Sequence, residues 1–162
     1  MTSAAVCDTL SRRMNTTGTI DNILYHKGRN VWSVSPGITV LEAITLLAEK
    51  NVGALLVMEG EKLVGMFSER DYTRKVILKG RSSKDTKVGE VVSAPVLTVP
   101  AEQTVEDCMR FMTEHRVRHL PVVAGGNVVG IVSIGDLVNW TISAQTAAIE
   151  QMQSYIAGGY HA

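Results

Sequence analysis

The chain contains one internal repeat, and this repeat limits the folds that the sequence can adopt. Residues 31–71 align without a gap with residues 96–136, at a constant offset of 65 residues that pairs Val31 with Val96 and Asp71 with Asp136. A unit of this size that occurs twice is one supersecondary element, and it cannot bury its apolar face alone. The sequence therefore predicts two copies of a small unit that pack against each other.

Each copy has the same predicted order of strands and helices. A short strand (residues 31–34 and 96–99) ends in a proline-bearing turn. A helix follows, with a threonine N-cap and an acidic residue three positions later, the capping-box pattern or its aspartate variant. These pairs are Thr39 with Glu42 and Thr104 with Asp107. The predicted helices each have one apolar stripe at i, i+3, i+4 and i+7, and the second stripe includes Cys108 as a core residue.

Two apolar runs follow each helix and are joined by a glycine-containing turn, which predicts a hairpin in each copy. These runs are residues 54–58 with 63–67, and 120–123 with 128–132. Each hairpin leads through Ser-x-x-Asp into a second helix. The predicted unit is therefore strand, helix, strand, strand, helix, with a three-stranded sheet.

The rest of the chain divides around these copies. We expect an N-terminal segment (1–20), the first repeat (21–80), a polar linker (81–87), the second repeat (88–145), and a C-terminal helix and tail (146–162). A narrow apolar seam at Ile142, Ile149, Met152 and Ile156 accompanies the C-terminal helix. The seam is expected to dock either on a partner subunit or on the chain's own sheet.

Composition excludes several classes of protein. The 16 basic and 16 acidic residues leave no global charge to attract nucleic acid or an anionic membrane. The two cysteines, Cys7 and Cys108, lie far apart without a CxxC partner, so no zinc spacing or disulfide framework is present. A reducing compartment, the cytoplasm, is expected. The polar N-terminal segment has arginines, serines and threonines with one acid, Asp8, and so faintly resembles a mitochondrial presequence.

The Ser-x-x-Asp motif, Ser68 to Asp71 and again Ser133 to Asp136, has two interpretations. In the first, it is a capping box whose hydroxyl and carboxylate satisfy free backbone N–H groups. In the second, the carboxylate at the helix start accepts hydrogen bonds from two vicinal hydroxyls, while the same N–H groups attract phosphate. The spacing alone leaves both open.

The repeat resembles the cystathionine β-synthase (CBS) domain family. The resemblance rests on the two hydrophobic residues before each Ser-x-x-Asp and on the strands NVGALLV and RVRHLPVV, and it covers about residues 20–145. Two tandem copies are similar to the family's usual pair, in particular to small bacterial and plant-organelle proteins that consist of little else. The resemblance implies an α/β (α+β) fold of two β-α-β-β-α units packed as a pseudo-two-fold pair, plus a C-terminal helix.

The resemblance also implies an adenine-nucleotide site in each of two clefts between the repeats. In the family the aspartate holds the ribose hydroxyls, the serine contacts phosphate or ribose, and the adenine lies against strands of the opposite repeat. Carried over residue by residue, the first site has Ser68, Arg70 and Asp71 with Leu97, Arg118, His119 and Pro121. The second has Ser133 and Asp136 with Trp32, Gly53 and Ala54.

The two implied sites differ in charge. Arg70, Arg118 and His119 would neutralise phosphates at the Asp71 site, whereas the matching positions Gly135, Gly53 and Ala54 offer no cation to Asp136. We therefore expect phosphorylated ligands to prefer the Asp71 site. The Asp136 site is expected to be weaker or to take a nucleoside, with Trp32 either stacked on the base or packed at its strand.

Other chemistry-bearing groups have plainer interpretations. The basic cluster after Asp71 either extends a phosphate site or forms a solvated helix face. Its members are Arg74, Lys75, Lys79, Arg81 and Lys84. His115 and His119 have no converging cysteine or carboxylate, so no metal is expected.

The motifs GxxxxGK[ST], GxGxxG and GxSxG are absent from the sequence, and no nucleophile is recognisably paired with a base. The sequence therefore indicates that a ligand is bound and not transformed, with no catalytic cofactor. Together with the sites that the resemblance implies, the expected protein is a sensor of AMP, ADP, ATP or NAD. The resemblance also implies a homodimer, and the sensor is expected to signal to an effector protein that the sequence does not identify. The alternative is an interaction scaffold with vestigial sites.

Overall fold

The structure is a computed structural model and describes residues 18–158. A helix, α1 (Ile20–Lys27), precedes the first copy. That copy comprises β1 (Ser33–Val34), α2 (Val40–Lys50), β2 (Ala54–Glu59), β3 (Lys62–Ser68) and α3 (Glu69–Asp71), which continues as a π-helix (Tyr72–Val76) and a 3₁₀ turn (Ile77–Lys79). A short 3₁₀ turn (Val88–Glu90) precedes the second copy. That copy comprises β4 (Val99–Pro100), α4 (Val105–His115), β5 (His119–Ala124), β6 (Asn127–Ser133) and α5 (Ile134–Gly158).

The predicted order of helices and strands is confirmed. The observed bounds differ from the predicted ones mainly at the first strand of each copy and at the last helix. β1 and β4 have two residues each, fewer than the four predicted. The second helix of repeat 2 and the predicted C-terminal helix are one continuous helix of 25 residues. No proline occurs within α5, and its one glycine after the first turn is its last residue, Gly158, so nothing in the backbone interrupts it.

Each copy forms a three-stranded sheet, in the order β1-β2-β3 and β4-β5-β6. β1 is parallel to β2, and β3 returns antiparallel to β2 with Ala54 opposite Ser68. This register ends the hairpin where β2 begins, so the backbone N–H of Glu69 donates to the carbonyl of Gly53 at 3.2 Å. The equivalent bond in the second copy joins Ile134 N–H to the Arg118 carbonyl at 2.9 Å. Both Ser-x-x-Asp motifs are therefore fixed to the residue that precedes the central strand of their sheet.

The helix starts follow the predicted capping chemistry. The Thr39 hydroxyl accepts from Glu42 N–H at 3.2 Å, and the Glu42 carboxylate accepts from Thr39 N–H at 2.7 Å. Hydrogen bonds from the Thr39 backbone, then from its hydroxyl, lower the pKa of Glu42. In α4, the Thr104 hydroxyl accepts from Asp107 N–H at 3.1 Å. Each helix then directs its apolar stripe inward, with Val40, Ala43 and Leu47 buried in α2 and Val105, Cys108 and Met112 buried in α4.

The chain forms two compact units, which we name after their aspartates. The Asp71 unit contains residues 29–98 and 121–131, and the Asp136 unit contains the described residues before 29, residues 99–120, and those from 132 onward. Phe67 is the largest side chain in the core of the Asp71 unit, where it packs with residues of α2 and β2. Ile20, Leu24 and Leu137 are fully or almost fully buried in the Asp136 unit.

A backbone ladder in the Asp136 unit places α1. The N–H of Ile20 donates to the Gln103 carbonyl at 2.9 Å, that of Asp21 to Ala101 at 2.9 Å, and that of Val105 to Gly18 at 3.0 Å. Although α1 precedes the first repeat, it is therefore held by the segment that leads into the first helix of the second repeat.

The same ladder recurs in the Asp71 unit and binds the predicted linker. The N–H of Val88 donates to Ile38 at 2.9 Å, and that of Val40 donates to Thr86 at 2.9 Å. Thr86 is buried within residues 81–87, the polar segment that the sequence predicts to be a linker. These residues are thus part of the unit, because the start of α2 has free N–H groups that the carbonyls of Ser83 and Thr86 satisfy.

Cys108 is a buried core residue, as predicted, and its burial raises the pKa of the thiol to about 11. We expect the folded protein to resist thiol reagents at neutral pH, because the thiolate that reacts is almost unpopulated and is covered. A Cys7→Ser variant isolates this thiol, because Cys7 and Cys108 are the two cysteines of the chain. Labelling by a chromogenic disulfide at pH 8 should be slow in buffer and complete within minutes in denaturant. Rapid labelling of the folded variant would contradict the burial.

Candidate functional site

The Ser-x-x-Asp motif of the first copy forms a closed capping box. The backbone N–H and the hydroxyl of Ser68 both donate to Oδ2 of Asp71, at 3.0 and 2.8 Å. The N–H of Asp71 donates back to the Ser68 hydroxyl at 3.3 Å. This geometry confirms the capping interpretation of the motif, and it leaves Oδ1 of the carboxylate for other partners.

Oδ1 of Asp71 is also engaged. The Ser93 hydroxyl donates to it at 2.8 Å, and the Lys75 ammonium lies 2.9 Å away. Lys75 is itself fixed by the Val91 carbonyl and the Ser93 hydroxyl, each at 3.0 Å. A carboxylate has about four acceptor positions, and these four donors fill them. A ribose diol at Asp71 must therefore displace Ser93 and Lys75.

Close backbone packing brings Ser93 to this position. Ser93 and Met66 exchange two backbone hydrogen bonds at 3.2 and 3.4 Å, which attaches the segment after the 3₁₀ turn to β3. A Cβ on the neighbouring Gly65 would lie 2.9 Å from the Cβ of Val92, so only glycine permits this approach. The glycine before the motif thus positions a serine on its aspartate.

The second copy presents a different carboxylate. The N–H of Ser133 donates to Oδ2 of Asp136 at 2.8 Å, and the N–H of Asp136 donates to the Ser133 hydroxyl at 3.2 Å. The ammonium of Lys27, at the end of α1, forms an ion pair with the same Oδ2. Burial alone would raise the pKa of Asp136, but the hydrogen bonds from Lys27 and Ser133 outweigh it and lower the pKa.

Lys27 supplies Asp136 with a cation that the repeat alignment does not show. The positions that match Arg70, Arg118 and His119 carry no charge, and Lys27 lies before the aligned region. The cation reaches Asp136 because the backbone ladder holds α1 against the second copy. Sequence comparison of the two repeats cannot find such a residue.

A groove of about 440 Å³ opens beside this ion pair, within the Asp136 unit. It is lined by Ile23, His26 and Lys27 of α1 and by Asp136, Asn139, Trp140 and Ser143 of α5. The Trp140 ring packs against Gly18, where an added Cβ would meet Cζ2 at 2.6 Å. The wall therefore combines an ion pair with aromatic surface, and the repeat pattern singled out none of its residues except Asp136.

The other predicted site residues fall into the two units. Trp32, Gly53, Ala54, Leu97 and Pro121 belong to the Asp71 unit, and Arg118 and His119 belong to the Asp136 unit. Arg70 and Arg118 are exposed, Leu97 and His119 are half-buried, and Pro121 is buried in β5. Within the units the structure joins Ser68 to Asp71 and Ser133 to Asp136. The pairings that cross from one unit to the other stay predictions.

Trp32 is 40% exposed, and its backbone carbonyl accepts from Leu56 N–H at 3.0 Å. The Lys50 ammonium lies 4.3 Å from the ring centroid, a cation–π contact that covers one face. A base that stacks on Trp32 therefore has one open face available. Stacking on this residue stays a prediction.

The basic cluster separates into residues with different partners. Lys75 lies on Asp71, and Arg81 pairs with Glu90 at 2.8 Å, whereas Arg74, Lys79 and Lys84 are exposed. Within residues 18–158, no group of three metal-ligating side chains converges. Nδ1 of His115 lies 3.0 Å from the Phe111 carbonyl, and the imidazole stacks on the Phe111 ring. In the described chain, no helix is both long and apolar enough to span a membrane.

The two copies, each with one sheet and one Ser-x-x-Asp motif, are also matched by a family model at the level of sequence. The model for the CBS domain matches residues 27–77 and 88–143. The chain belongs to the CBS domain family. This membership confirms the resemblance and the predicted mixed α/β fold.

Similar proteins come from several organisms. A mitochondrial CBS domain-containing protein of Arabidopsis thaliana, CBSX3, is 38% identical over 88% of this chain and 73% of its own length. The CBS domain-containing protein YhcV of Bacillus subtilis is 37% identical over 79% of this chain and 84% of its own length.

Solved structures share the fold. A putative signal-transduction protein with CBS domains from Burkholderia ambifaria is 48% identical over 77% of this chain and 94% of its own, with a TM-score of 0.75. A more distant CBS domain pair, protein MJ0100, was crystallised with 5′-methylthioadenosine and S-adenosyl-L-methionine. It is 22% identical over 78% of this chain and 98% of its own, with a TM-score of 0.70. That likeness shows the fold alone.

Proposed function

We propose that this protein is a regulatory module that binds a phosphorylated adenine nucleotide at its Ser-x-x-Asp motifs and signals to a partner without catalysis. One observation carries the proposal: in both copies the motif's carboxylate is paired with a lysine, Asp71 with Lys75 and Asp136 with Lys27. A nucleotide supplies a partner for each member of such a pair. The ribose diol suits the carboxylate, and the phosphate suits the ammonium.

The lysines determine which adenosine compound fits. A ribose diol gives the carboxylate two charge-assisted hydrogen bonds, each worth about 1.5 to 3 kcal/mol, but it displaces the lysine from the carboxylate. A nucleoside leaves the displaced ammonium without a partner, whereas AMP, ADP, ATP or NAD provides a phosphate for it. The adenosine compounds in the MJ0100 crystals have no phosphate. We expect this chain to prefer anionic ligands to those compounds.

The number of contacts that a ligand must displace differs between the two motifs, and it favours binding at Asp136 over binding at Asp71. A ligand at Asp71 must replace Ser93 and Lys75 on Oδ1. At Asp136 the two hydrogen bonds both end on Oδ2, and only Lys27 must move, since Ser133 belongs to the cap. Sequence alone favours Asp71 as the stronger site. The contacts favour the opposite order, with Asp136 filled first and by a phosphorylated ligand.

Calorimetric titration with AMP, ATP and adenosine tests this function. AMP has about 23 heavy atoms, so at roughly 0.3 kcal/mol per atom we expect a dissociation constant of about 10 μM. Adenosine should bind at least about tenfold more weakly. At 100 times its dissociation constant, AMP should add about 2.7 kcal/mol to the free energy of unfolding. No heat and no stabilisation with any of the three would refute the proposal, and loss of ATP during incubation would show an enzyme.

The alternative is an interaction scaffold with vestigial sites. One observation favours it, namely that four donors already fill the acceptor positions of the Asp71 carboxylate. Stabilisation by AMP separates the two functions, because a scaffold gains nothing from a nucleotide. The effector that receives the signal is a partner protein in either case. A cytoplasmic location and a homodimer stay predictions, and the mitochondrial relative makes the organelle the competing location.

A further inference from the structure

The groove beside Asp136 extends beyond the ion pair on which the proposed function depends. Asn139, Trp140 and Ser143 follow Asp136 by three, four and seven positions, so they share one face of α5. This face continues for about 10 Å along the helix axis after Asp136, and α1 forms the opposite wall. The volume of about 440 Å³ is in the range of small-molecule sites.

AMP accounts for only one end of the groove. Its ribose diol suits the Asp136 carboxylate and its phosphate suits the Lys27 ammonium, and these two groups lie together in the ion pair. The other lining residues of α5 lie farther along the helix, where a mononucleotide gives them no partner. A ligand that fills the groove must therefore continue past the phosphate.

The wall past the ion pair offers polar groups without charge. Asn139 and Ser143 are exposed, and their side chains make no hydrogen bond within residues 18–158. Apart from Lys27 and Asp136, the groove's described lining residues include no lysine, arginine or carboxylate. The further phosphates of ATP would therefore lack a partner in this wall. A neutral ring with polar groups at its edge would find donors and acceptors in the amide and the hydroxyl.

Trp140 places a flat aromatic ring in the same wall. Its Nε1 is buried and has no hydrogen-bond partner in the part of the chain that the structure describes. An unpaired buried donor is costly, and phenylalanine has no such donor. Core packing alone therefore does not explain an indole here, and departures of this kind are typical of functional residues. What the indole adds to the groove is a large ring face.

The Trp140 ring is only partly covered by its neighbour, His26. The two ring centroids lie 5.6 Å apart and the planes are inclined by 46°, so the rings are neither stacked nor perpendicular. His26 is exposed in the last turn of α1, and its imidazole can therefore turn aside. A planar ligand can then lie against the indole.

The first copy has a lysine at the position of this ring. The repeat offset of 65 residues places Lys75 where the second copy has Trp140. Lys75 pairs with Asp71, whereas Asp136 takes its cation from α1 and has an aromatic residue four positions later. The aromatic wall is thus a feature of the Asp136 motif and not of the repeat.

We propose that this groove binds the second ring of a dinucleotide, with Trp140 as the stacking surface. The inference rests on the proposed function, because a ribose at Asp136 and a phosphate at Lys27 determine where the ligand enters the groove. A pyrophosphate continues from the lysine, and the second nucleoside places its ring on the indole. The polar edge of that ring then faces Asn139 and Ser143. AMP and ATP have no second ring and leave this wall uncovered.

Two related ligands isolate the contribution of the ring. NADH and ADP-ribose share the adenosine, the pyrophosphate and the second ribose, and they differ at the dihydronicotinamide ring. In calorimetric titrations of the full chain, we expect NADH to bind at least about tenfold more tightly than ADP-ribose, the effect of one stacked ring. Equal affinities would overturn the proposal, and binding of AMP in the same experiment would leave the proposed function intact. If AMP and NADH both fail to bind, the proposed function fails and this inference fails with it.

A matched pair of variants locates the ring. Trp140→Leu should bring the affinities for NADH and ADP-ribose within about twofold of each other, because the stacking surface is lost. Tyr155→Leu removes an aromatic ring from an exposed position of α5 outside the groove, and it should keep the wild-type preference for NADH. Circular dichroism checks that both variants are folded, and the wild-type comparison of the two ligands does not depend on them. A full preference in folded Trp140→Leu, or its loss in Tyr155→Leu, would overturn the assignment of the ring to Trp140.

Discussion

Asp136→Glu is expected to weaken AMP binding by about a hundredfold and to leave the free energy of unfolding within about 1 kcal/mol of the wild type. The variant moves the carboxylate by one methylene, so it no longer meets the ribose diol, and each charge-assisted hydrogen bond is worth about 1.5 to 3 kcal/mol. The cap survives because glutamate serves at the same position of α2, where Thr39 and Glu42 bond reciprocally. Calorimetry measures the affinity, and urea denaturation measures the stability.

The chain provides a matched control at another helix start. Asp107 occupies the third position of α4, where its N–H donates to the Thr104 hydroxyl, and it lies outside both Ser-x-x-Asp motifs. Asp107→Glu is the same substitution in the same local setting, and it should change neither AMP affinity nor stability appreciably. Unaltered AMP affinity in Asp136→Glu would show that the carboxylate is only a cap. The AMP affinity of Asp71→Glu then measures separately what the Asp71 carboxylate contributes to binding.

Most of the fold could be predicted from the sequence because its signals are local. The threonine caps set the starts of α2 and α4 at Val40 and Val105, as the structure has them. Glycine turns between apolar runs set both hairpins to within one residue of their observed ends. Period and capping are properties of adjacent residues, and neither requires knowledge of the tertiary contacts.

Lys27 and Ser93 reach the two carboxylates through contacts that no local pattern encodes. Lys27 reaches Asp136 across 109 positions of sequence because Gly18 and Ile20 bind the strand-to-helix segment of the second copy. Ser93 reaches Asp71 because Gly65 lets its segment approach β3. In both cases the segment that precedes one repeat contacts the motif of the other repeat. An alignment of the two copies omits these segments, so it misses Lys27 and Ser93, whereas Lys75 lies four residues after Asp71 in the basic cluster.

The π-helix after Asp71 is a second feature that the sequence does not predict. The pattern from residue 69 predicts an ordinary helix, yet Tyr72–Val76 is wound more widely before the 3₁₀ turn begins. The extra width accompanies the burial of Val76 and the reach of Lys75 to Asp71, Val91 and Ser93. Helices with such a bulge are frequent at functional sites. The irregularity thus lies where the proposed site needs a lysine turned toward the carboxylate.

Lys27→Met separates the two roles of the Asp136 pair. In the wild type the ammonium competes with a ribose diol for Oδ2 and then binds the ligand's phosphate. The variant should therefore bind AMP about tenfold more weakly and adenosine equally well or more tightly, so the preference for AMP should fall at least tenfold. Lys62→Met, on the exposed hairpin of the first copy, is the matched control and should keep the wild-type preference. Equal losses for both ligands would mean that Lys27 is only structural.

The stability of Lys27→Met as a function of pH gives a second test that needs no ligand. Because the pKa of Asp136 is lowered in the folded protein, the folded chain binds fewer protons than the unfolded chain near that pKa. The pair's contribution to stability is therefore present above the carboxylate's unfolded pKa and is lost as the pH falls through the folded value. Lys27→Met should be less stable than the wild type at pH 7, and the difference should shrink toward pH 3. A difference that stays constant over this range would show that Lys27 acts through packing, and the phosphate role would then rest on the AMP titration alone.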